Sequence, residues 1–273
     1  MKPYAYLNGK IVKTDKPHIM LDDIGILRGF GAFDFLRIYN NKPFLFKDHF
    51  KRFQNSSKLL GLKVPISFKK LENILQDLLK KNKCKDAHVR LILAGGKTRE
   101  GLLPSKPNFY IFFEELVELP KKLFKEGAVL ITNDHQRLFP EAKTTNYLQA
   151  VSLQKKRKRA GAVEVLYINN GYILEATTSN VFILKNNQII TPKENILEGM
   201  TKRLIIKLAK EAGYKVIERK IKVSELYKAD EVFLTATNKK VLPIVKIDNK
   251  IISKKKVGEI SKKLLELYKK EIN

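Results

Sequence analysis

The chain has 273 residues, 44% of them hydrophobic, enough for one large or two modest domains and too apolar for an intrinsically disordered chain. No apolar run approaches the ~20 residues that a membrane helix needs, the N-terminal Met1–Tyr6 lacks a signal peptide's apolar stretch, and the lone Cys84 excludes an internal disulfide, so the expectation is a soluble cytoplasmic protein with no membrane partner. Lys and Arg number 54 against 28 Asp and Glu, a net charge of +26, which keeps a basic nucleic-acid-binding protein among the readings.

Two hairpins are expected first: Tyr4–Leu7 and Lys10–Val12 around Asn8-Gly9, then Phe33–Tyr39 and Pro43–Phe46 around Asn40-Asn41. Lys47–Leu60 carries Phe50, Phe53, Leu59 and Leu60 at helical spacing and stops at Gly61. Phe68–Lys81 is a second helix with Leu71, Ile74, Leu75, Leu78 and Leu79 on one face. Ala87–Leu93 and Asn108–Phe113 read as apolar strands separated by the loop 95–101. Leu116–Leu123, with Pro120, reads as a linker.

Beyond it come a strand at Gly127–Thr132, a helix at Tyr147–Ala160, strands at Glu164–Ile168 and Tyr172–Glu175, and a hairpin of Val181–Lys185 with Gln188–Thr191. Met200–Gly213 is a helix, Lys215–Arg219 a strand, Val223–Ala229 a short helix, Glu231–Thr235 a strand and Lys256–Lys270 a terminal helix. The basic run 155–159 has no interleaved aromatics and falls on the exposed face of the Tyr147–Ala160 helix. That pattern predicts non-specific attraction rather than a specific nucleic-acid role.

Four segments carry the chemistry: Pro140-Glu141-Ala142-Lys143-Thr144-Thr145-Asn146-Tyr147; Glu175 leading into Ala176-Thr177-Thr178-Ser179-Asn180; Leu197-Glu198-Gly199-Met200-Thr201 opening a helix; and Thr235-Ala236-Thr237-Asn238 closing a strand. Each is weak alone. In this order and spacing, over nearly the whole chain, they resemble the fold type IV, or class IV, pyridoxal-phosphate-dependent aminotransferases. The resemblance implies a mixed α/β fold of two domains, a small N-terminal α/β domain and a larger domain with a β-barrel-like core. The boundaries expected are 1–117, an interdomain linker at 118–124, and a cofactor-binding domain at 125–273.

It also implies pyridoxal 5'-phosphate as cofactor and no metal. Lys143 would hold the cofactor aldehyde as an imine and shuttle a proton. Glu175 would keep the pyridine nitrogen protonated through a charge-assisted hydrogen bond. Gly199, Met200 and Thr201 at a helix N-terminus, the Thr237 hydroxyl and Arg52 would bind the phosphate, and Tyr147 the phenolic oxygen.

The short length and the Lys143-x-x-Asn146 spacing are similar to the D-amino-acid transaminases, with a non-standard carboxylate site. Phe30 stands where relatives carry an Asp, Asp34 where they carry a Glu, and Phe33 where a Tyr is usual. Arg28 and Arg90 are the candidate carboxylate binders, with Phe33, Thr237 and Asn238 beside them. Arg90, in a strand as apolar as Val89–Ala94, needs a partner or a ligand. Arg28 reads alternatively as a salt bridge to Asp22 or Asp23.

The expected reaction moves an amino group from a D-amino acid to a 2-oxo acid such as 2-oxoglutarate. The expected assembly is a homodimer. Alternatives are a branched-chain L-amino-acid transaminase, which Phe33, Arg37 and Arg90 would suit, and an aminodeoxychorismate lyase.

Overall fold

The computed structural model describes residues 1–16, 19–252 and 256–272. The chain forms two compact units. The first is Met1–Val117 together with Ala142–Tyr147, the second Glu118–Glu141 together with Leu148–Asn273.

The first unit runs β1 (Tyr4–Leu7), β2 (Lys10–Lys13), α1 (Ile24–Arg28), β3 (Gly31–Tyr39), β4 (Lys42–Pro43), α2 (Phe46–Leu59), α3 (Phe68–Lys81), β5 (Ala87–Ala94), β6 (Thr98–Arg99), β7 (Leu103–Pro104) and β8 (Asn108–Glu114). Its main sheet has the order β2-β1-β8-β5-β3-β4 with every neighbour antiparallel. Asn8 and Gly9 both take positive φ in the two-residue turn between β1 and β2, which suits the twist of paired strands.

Because side chains alternate along a strand, Leu36 and Ile38 of β3, Val89, Leu91 and Leu93 of β5, and Phe109, Ile111 and Phe113 of β8 share one face. They pack with Phe50 and Phe53 of α2 and with Leu71, Ile74, Leu75, Leu78 and Leu79 of α3 in one buried cluster. The Ser67 hydroxyl caps α3 by accepting from the Lys70 N–H at 3.2 Å. Leu71 is fully buried, so its replacement by Ala would cost about 2–5 kcal/mol.

The alternate face of the same sheet carries Phe33, Phe35, Arg90, Phe112 and Glu114. It positions the chemistry described below.

The second unit runs α4 (Lys121–Glu126), β9 (Ala128–Asp134), α5 (Leu148–Ser152), α6 (Gln154–Arg159), β10 (Glu164–Asn169), β11 (Tyr172–Ala176), β12 (Asn180–Lys185), β13 (Gln188–Thr191), α7 (Met200–Glu211), β14 (Lys215–Glu218), β15 (Ile221–Lys222), α8 (Val223–Leu226), β16 (Glu231–Ala236), β17 (Lys240–Ile247), β18 (Lys250–Ile251) and α9 (Glu259–Lys270). The sheet order β14-β13-β12-β16-β17-β9-β10-β11-β15, with β18 on β17, curls into a half-barrel. One face buries Leu130, Leu166, Ile173, Val181, Leu234 and Leu242. The other buries Ile131, Val165, Tyr167 and Leu174 with Leu153 and Ile196.

Several elements differ from expectation. The helix expected over 147–160 is two short ones, α5 and α6, and Tyr147 lies in neither. Within α6 no residue is buried, so nothing apolar extends it as one rod. A helix, α4, begins inside the expected linker, directly after its N-cap residue Pro120.

The chain up to Arg28, for which no helix was expected, forms the short helix α1, which Asp23 caps and Gly29 ends in the left-handed conformation. The loop 95–101 contributes to a small two-stranded ribbon, β6 with β7. No strand was expected after Thr235, yet β17 sits in the middle of the large sheet despite Pro243. Among the described residues, no helix is long and apolar enough to cross a membrane.

Candidate active site

In the first unit the site is built from one face of α2. His49, Arg52, Phe53 and Ser56 follow each other at helical spacing, so they project to the same side. That side meets Asp34, which points from β3 into the interior and is fully buried. Arg52 grips it with a fork: Nε donates to Oδ2 and Nη2 to Oδ1, each at 2.8 Å. His49 Nδ1 stands 2.7 Å from Asp34 Oδ1.

Burial alone would raise the Asp34 carboxyl. The charge of Arg52 and the hydrogen bonds from Arg52 and His49 overcome it and hold the group well below the usual carboxylate range. Burial pulls the His49 imidazole below its ordinary value. Asp34 opposes that, while Arg52 and Lys143 add to it. A neutral His49 facing a carboxylate oxygen carries its proton on Nδ1.

Lys143 is held by its backbone on both sides. Its N–H donates to Ser56 Oγ at 3.0 Å, and its carbonyl accepts from the Phe33 N–H at 2.9 Å. Thr145 N–H reaches the Gly31 carbonyl at 2.8 Å, so residues 143–145 run extended along the start of β3 rather than at the mouth of a helix. The Lys143 ammonium sits 4.5 Å from the centre of the Phe33 ring, and Tyr147 meets that ring edge-on at 5.6 Å.

On the same sheet face Arg90 lies against Phe33 and Phe35, its Cζ 5.2 and 5.0 Å from the two ring centres. Its Nε donates to Glu114 Oε1. The partner that an arginine in this strand requires is therefore an acid of β8. Arg28 stands exposed at the end of α1, and its Nη1 donates to the Leu27 carbonyl at 2.8 Å. The candidate partners Asp22 and Asp23 are engaged elsewhere, Asp22 with Lys97 and Asp23 with Gly25 N–H and Asn108. No described contact links Arg28 to the group formed by Lys143, Phe33, Tyr147 and Arg90.

In the second unit Glu175, near the end of β11, is almost completely buried. Arg137 Nε donates to its Oε1 at 2.8 Å, and the Leu197 N–H donates to its Oε2 at 3.0 Å. Arg137 is itself fixed by donating to the carbonyls of Phe139 and Pro140. The carboxylate is thus clamped in one orientation.

Gly199 is the N-cap of α7, and no side chain caps that helix, whose first turn carries no acid. The N–H groups of its first turn therefore remain for an anion. A Cβ at Gly199 would overlap the Asn180 amide oxygen, so the close approach requires glycine there. Across the sheet from Asn180 stands Thr235. Its Oγ1 and the hydroxyl of Ser179 are buried with no hydrogen-bond partner among the described residues. Met200 and Thr201 are buried, Thr237 is half-buried and Asn238 exposed.

The amino-transferase class IV family model matches residues 31–247. The chain belongs to the class IV aminotransferases. It is 35% identical over 272 residues, 97% of the chain and 94% of the relative, to a Methanocaldococcus jannaschii protein provisionally described as a branched-chain-amino-acid aminotransferase. It is 30% identical over 264 residues to the D-alanine aminotransferase of Bacillus licheniformis, covering 93% of this chain and 92% of that one. A branched-chain amino acid aminotransferase of T.th., solved with pyridoxamine 5'-phosphate, superposes with a TM-score of 0.92 at 27% identity, over 100% of this chain and 94% of that one.

The cofactor of a class IV aminotransferase is pyridoxal 5'-phosphate. The residues here fit it. An uncapped helix N-terminus, a glycine that admits close approach and two unsatisfied buried hydroxyls suit a phosphate. A clamped, buried carboxylate suits a protonated ring nitrogen.

Arg137, Glu114, Lys239 and His49 of the aminotransferase escaped the sequence reading. Arg137 lies in a stretch without periodicity, and Glu114 looks like the plain end of an apolar strand. Lys239 is a buried lysine, its Nζ 2.7 Å from Glu164 and 3.0 Å from the Thr178 hydroxyl, among many exposed ones. Only His49 had a signal, its helical spacing from Arg52.

Proposed function

We propose that this aminotransferase moves the amino group of a D-amino acid to a 2-oxo acid, 2-oxoglutarate foremost, with Lys143 as its catalytic residue. The carrying observation is that one aromatic ring, Phe33, has the Lys143 ammonium against it and the Arg90 guanidinium beside it. An amine at the reacting end and a guanidinium further out suit a dicarboxylic 2-oxo acid. The D configuration draws support from the Lys143-x-x-Asn146 spacing and the Bacillus licheniformis relative.

Bound pyridoxal phosphate supplies an aldehyde that condenses with amines and a ring that accepts the electron pair left when a proton leaves the substrate Cα. Lys143 Nζ would hold the cofactor through its aldehyde and, once free, would serve as the base that moves the substrate's Cα proton. Glu175, kept in place by Arg137 and Leu197, would keep the ring nitrogen protonated. Arg52, oriented by Asp34, and the first turn of α7 with Gly199, Met200 and Thr201 bind the phosphate, with Thr235 and Thr237 as hydroxyl donors. Tyr147 would bond the ring's phenolic oxygen. Asn238 and Arg28 bind substrate from exposed positions, Arg28 from a neighbouring subunit of a homodimer.

A branched-chain L-amino acid as donor is the second reading. The Methanocaldococcus jannaschii and T.th. proteins favour it.

The test is the absorbance of the cofactor-loaded protein as D-glutamate, D-alanine, L-leucine and L-glutamate are added separately. Bleaching of the near-visible band by the D-amino acids supports the proposal. Bleaching by L-leucine or L-glutamate alone transfers it to the branched-chain reading. A Lys143→Ala protein that still shows the band bleaching at the wild-type rate overturns the role of Lys143.

A further inference from the structure

A transaminase of this kind must receive two side chains in turn, one of them apolar in many donors and one ending in a carboxylate. An arginine that reads the carboxylate is a liability to the apolar one, because a buried unpaired cation is costly. The sheet face around Phe33 contains a solution. Arg90 is already neutralised by Glu114. In the register that pairs Arg90 with Phe112 and His88 with Glu114, Glu114 lies two residues beyond Phe112 and so on the same face. The two side chains are 29% and 32% exposed, so the pair can be reached by a solute. Phe33 and Phe35 flank the guanidinium on this face, so it keeps two aromatic neighbours while it exchanges one carboxylate for another.

The distances set an upper limit that an extended five-carbon diacid does not exceed. Lys143 Nζ is 4.5 Å from the Phe33 centroid and Arg90 Cζ is 5.2 Å from it, so the two cannot be further apart than those lengths laid end to end. From its amino nitrogen to its distal carboxyl carbon, an extended glutamate spans about 5 Å, and a carboxylate–guanidinium pair adds about 4 Å between carbons.

We propose that Glu114 is an internal substitute for the substrate's distal carboxylate: it holds Arg90 while an apolar side chain occupies the pocket and releases it to glutamate or 2-oxoglutarate. The proposal rests on Arg90 as the carboxylate receptor. Glu114 touches neither cofactor nor reacting atoms, so it is a specificity-determining residue.

The test uses the cofactor-loaded protein with Glu114→Gln and Glu114→Asp, with Arg90→Met, and with the double variant Arg90→Met/Glu114→Gln. Calorimetry gives the Kd of glutarate, a diacid that cannot react, and steady-state kinetics give KM for 2-oxoglutarate and for an apolar donor separately. Glu114→Gln should tighten glutarate about tenfold and lower KM for 2-oxoglutarate in step, while KM for the apolar donor rises several-fold. Glu114→Asp, which keeps the charge, should stay near wild type. Arg90→Met should weaken glutarate at least about tenfold, and in its background Glu114→Gln should have no further effect. If Arg90→Met weakens glutarate but Glu114→Gln leaves it unchanged or weaker, Arg90 remains the receptor and Glu114 loses its role. If Arg90→Met changes nothing, the receptor assignment itself falls, and the Glu114 proposal falls with it.

Discussion

Asp34 and Arg52 are joined by two parallel hydrogen bonds of 2.8 Å, from a strand to a helix, with the carboxylate wholly inside the protein. Such a fork fixes the guanidinium plane, and whatever anion Arg52 serves meets a preoriented group.

Asp34→Asn should therefore damage cofactor binding more than the loss of a remote hydrogen bond would. It leaves Arg52 without its counter-charge in a buried setting, and removal of one partner of such a pair costs about 3–5 kcal/mol. Thermal unfolding should show a large loss of stability. Titration of the apo-protein should show a weakened Kd for pyridoxal phosphate. Unchanged affinity would mean that Asp34 serves only the fold.

The buried His49 gives the protein an acid-sensitive element. Its folded pKa lies below the ordinary 6.5, so between those two values the unfolded chain binds the proton that the folded one refuses. Stability should thus be complete above about 6.5 and fall as pH drops below it. Asp34, depressed in the folded state, adds its own loss at lower pH as the carboxylate is forced to protonate. His135 shares the sign of His49. Urea unfolding at a series of pH values should show His49→Gln flattening the slope just below 6.5; a slope identical to wild type would remove His49 as its source.

Arg137→Met should leave the protein folded and able to bind cofactor, but slow. It deprives Glu175 of a charge-assisted hydrogen bond worth about 1.5–3 kcal/mol, equivalent to about 10–100-fold in rate if that carboxylate supports the ring nitrogen in the transition state. The loss should fall on kcat with both substrates. A change confined to KM would place Arg137 in substrate binding instead.

Thr235→Val tests whether the unpaired buried hydroxyl is a ligand group. Without cofactor the substitution removes an unsatisfied polar atom, so the apo-protein should be as stable as wild type or slightly more so. The rise in Tm on adding pyridoxal phosphate should shrink. An equal rise in both proteins would show that Thr235 does not meet the phosphate.

Much of this molecule is readable in one dimension. The stripe of Leu71, Ile74, Leu75, Leu78 and Leu79 gives α3 to the residue, and Asn8-Gly9 gives the first turn, because helix periodicity and turn stereochemistry depend on near neighbours. The segments around Lys143, Glu175, Gly199 and Thr237 point to the class IV aminotransferases for a related reason: their order and local chemistry survive without knowledge of the fold. The strand β17 was missed because Pro243 argues locally against a place that only its neighbours in the sheet make favourable.

The partnerships were decided by tertiary structure. Asp34 finds Arg52 at a separation of 18 residues, Arg90 finds Glu114 at 24 and Glu175 finds Arg137 at 38. A formal charge of +26 says that most acids will have a choice of cations, and no local rule makes that choice. It is made where strand register and helix face bring two side chains into one dry volume, since there an ion without its partner is too costly to keep.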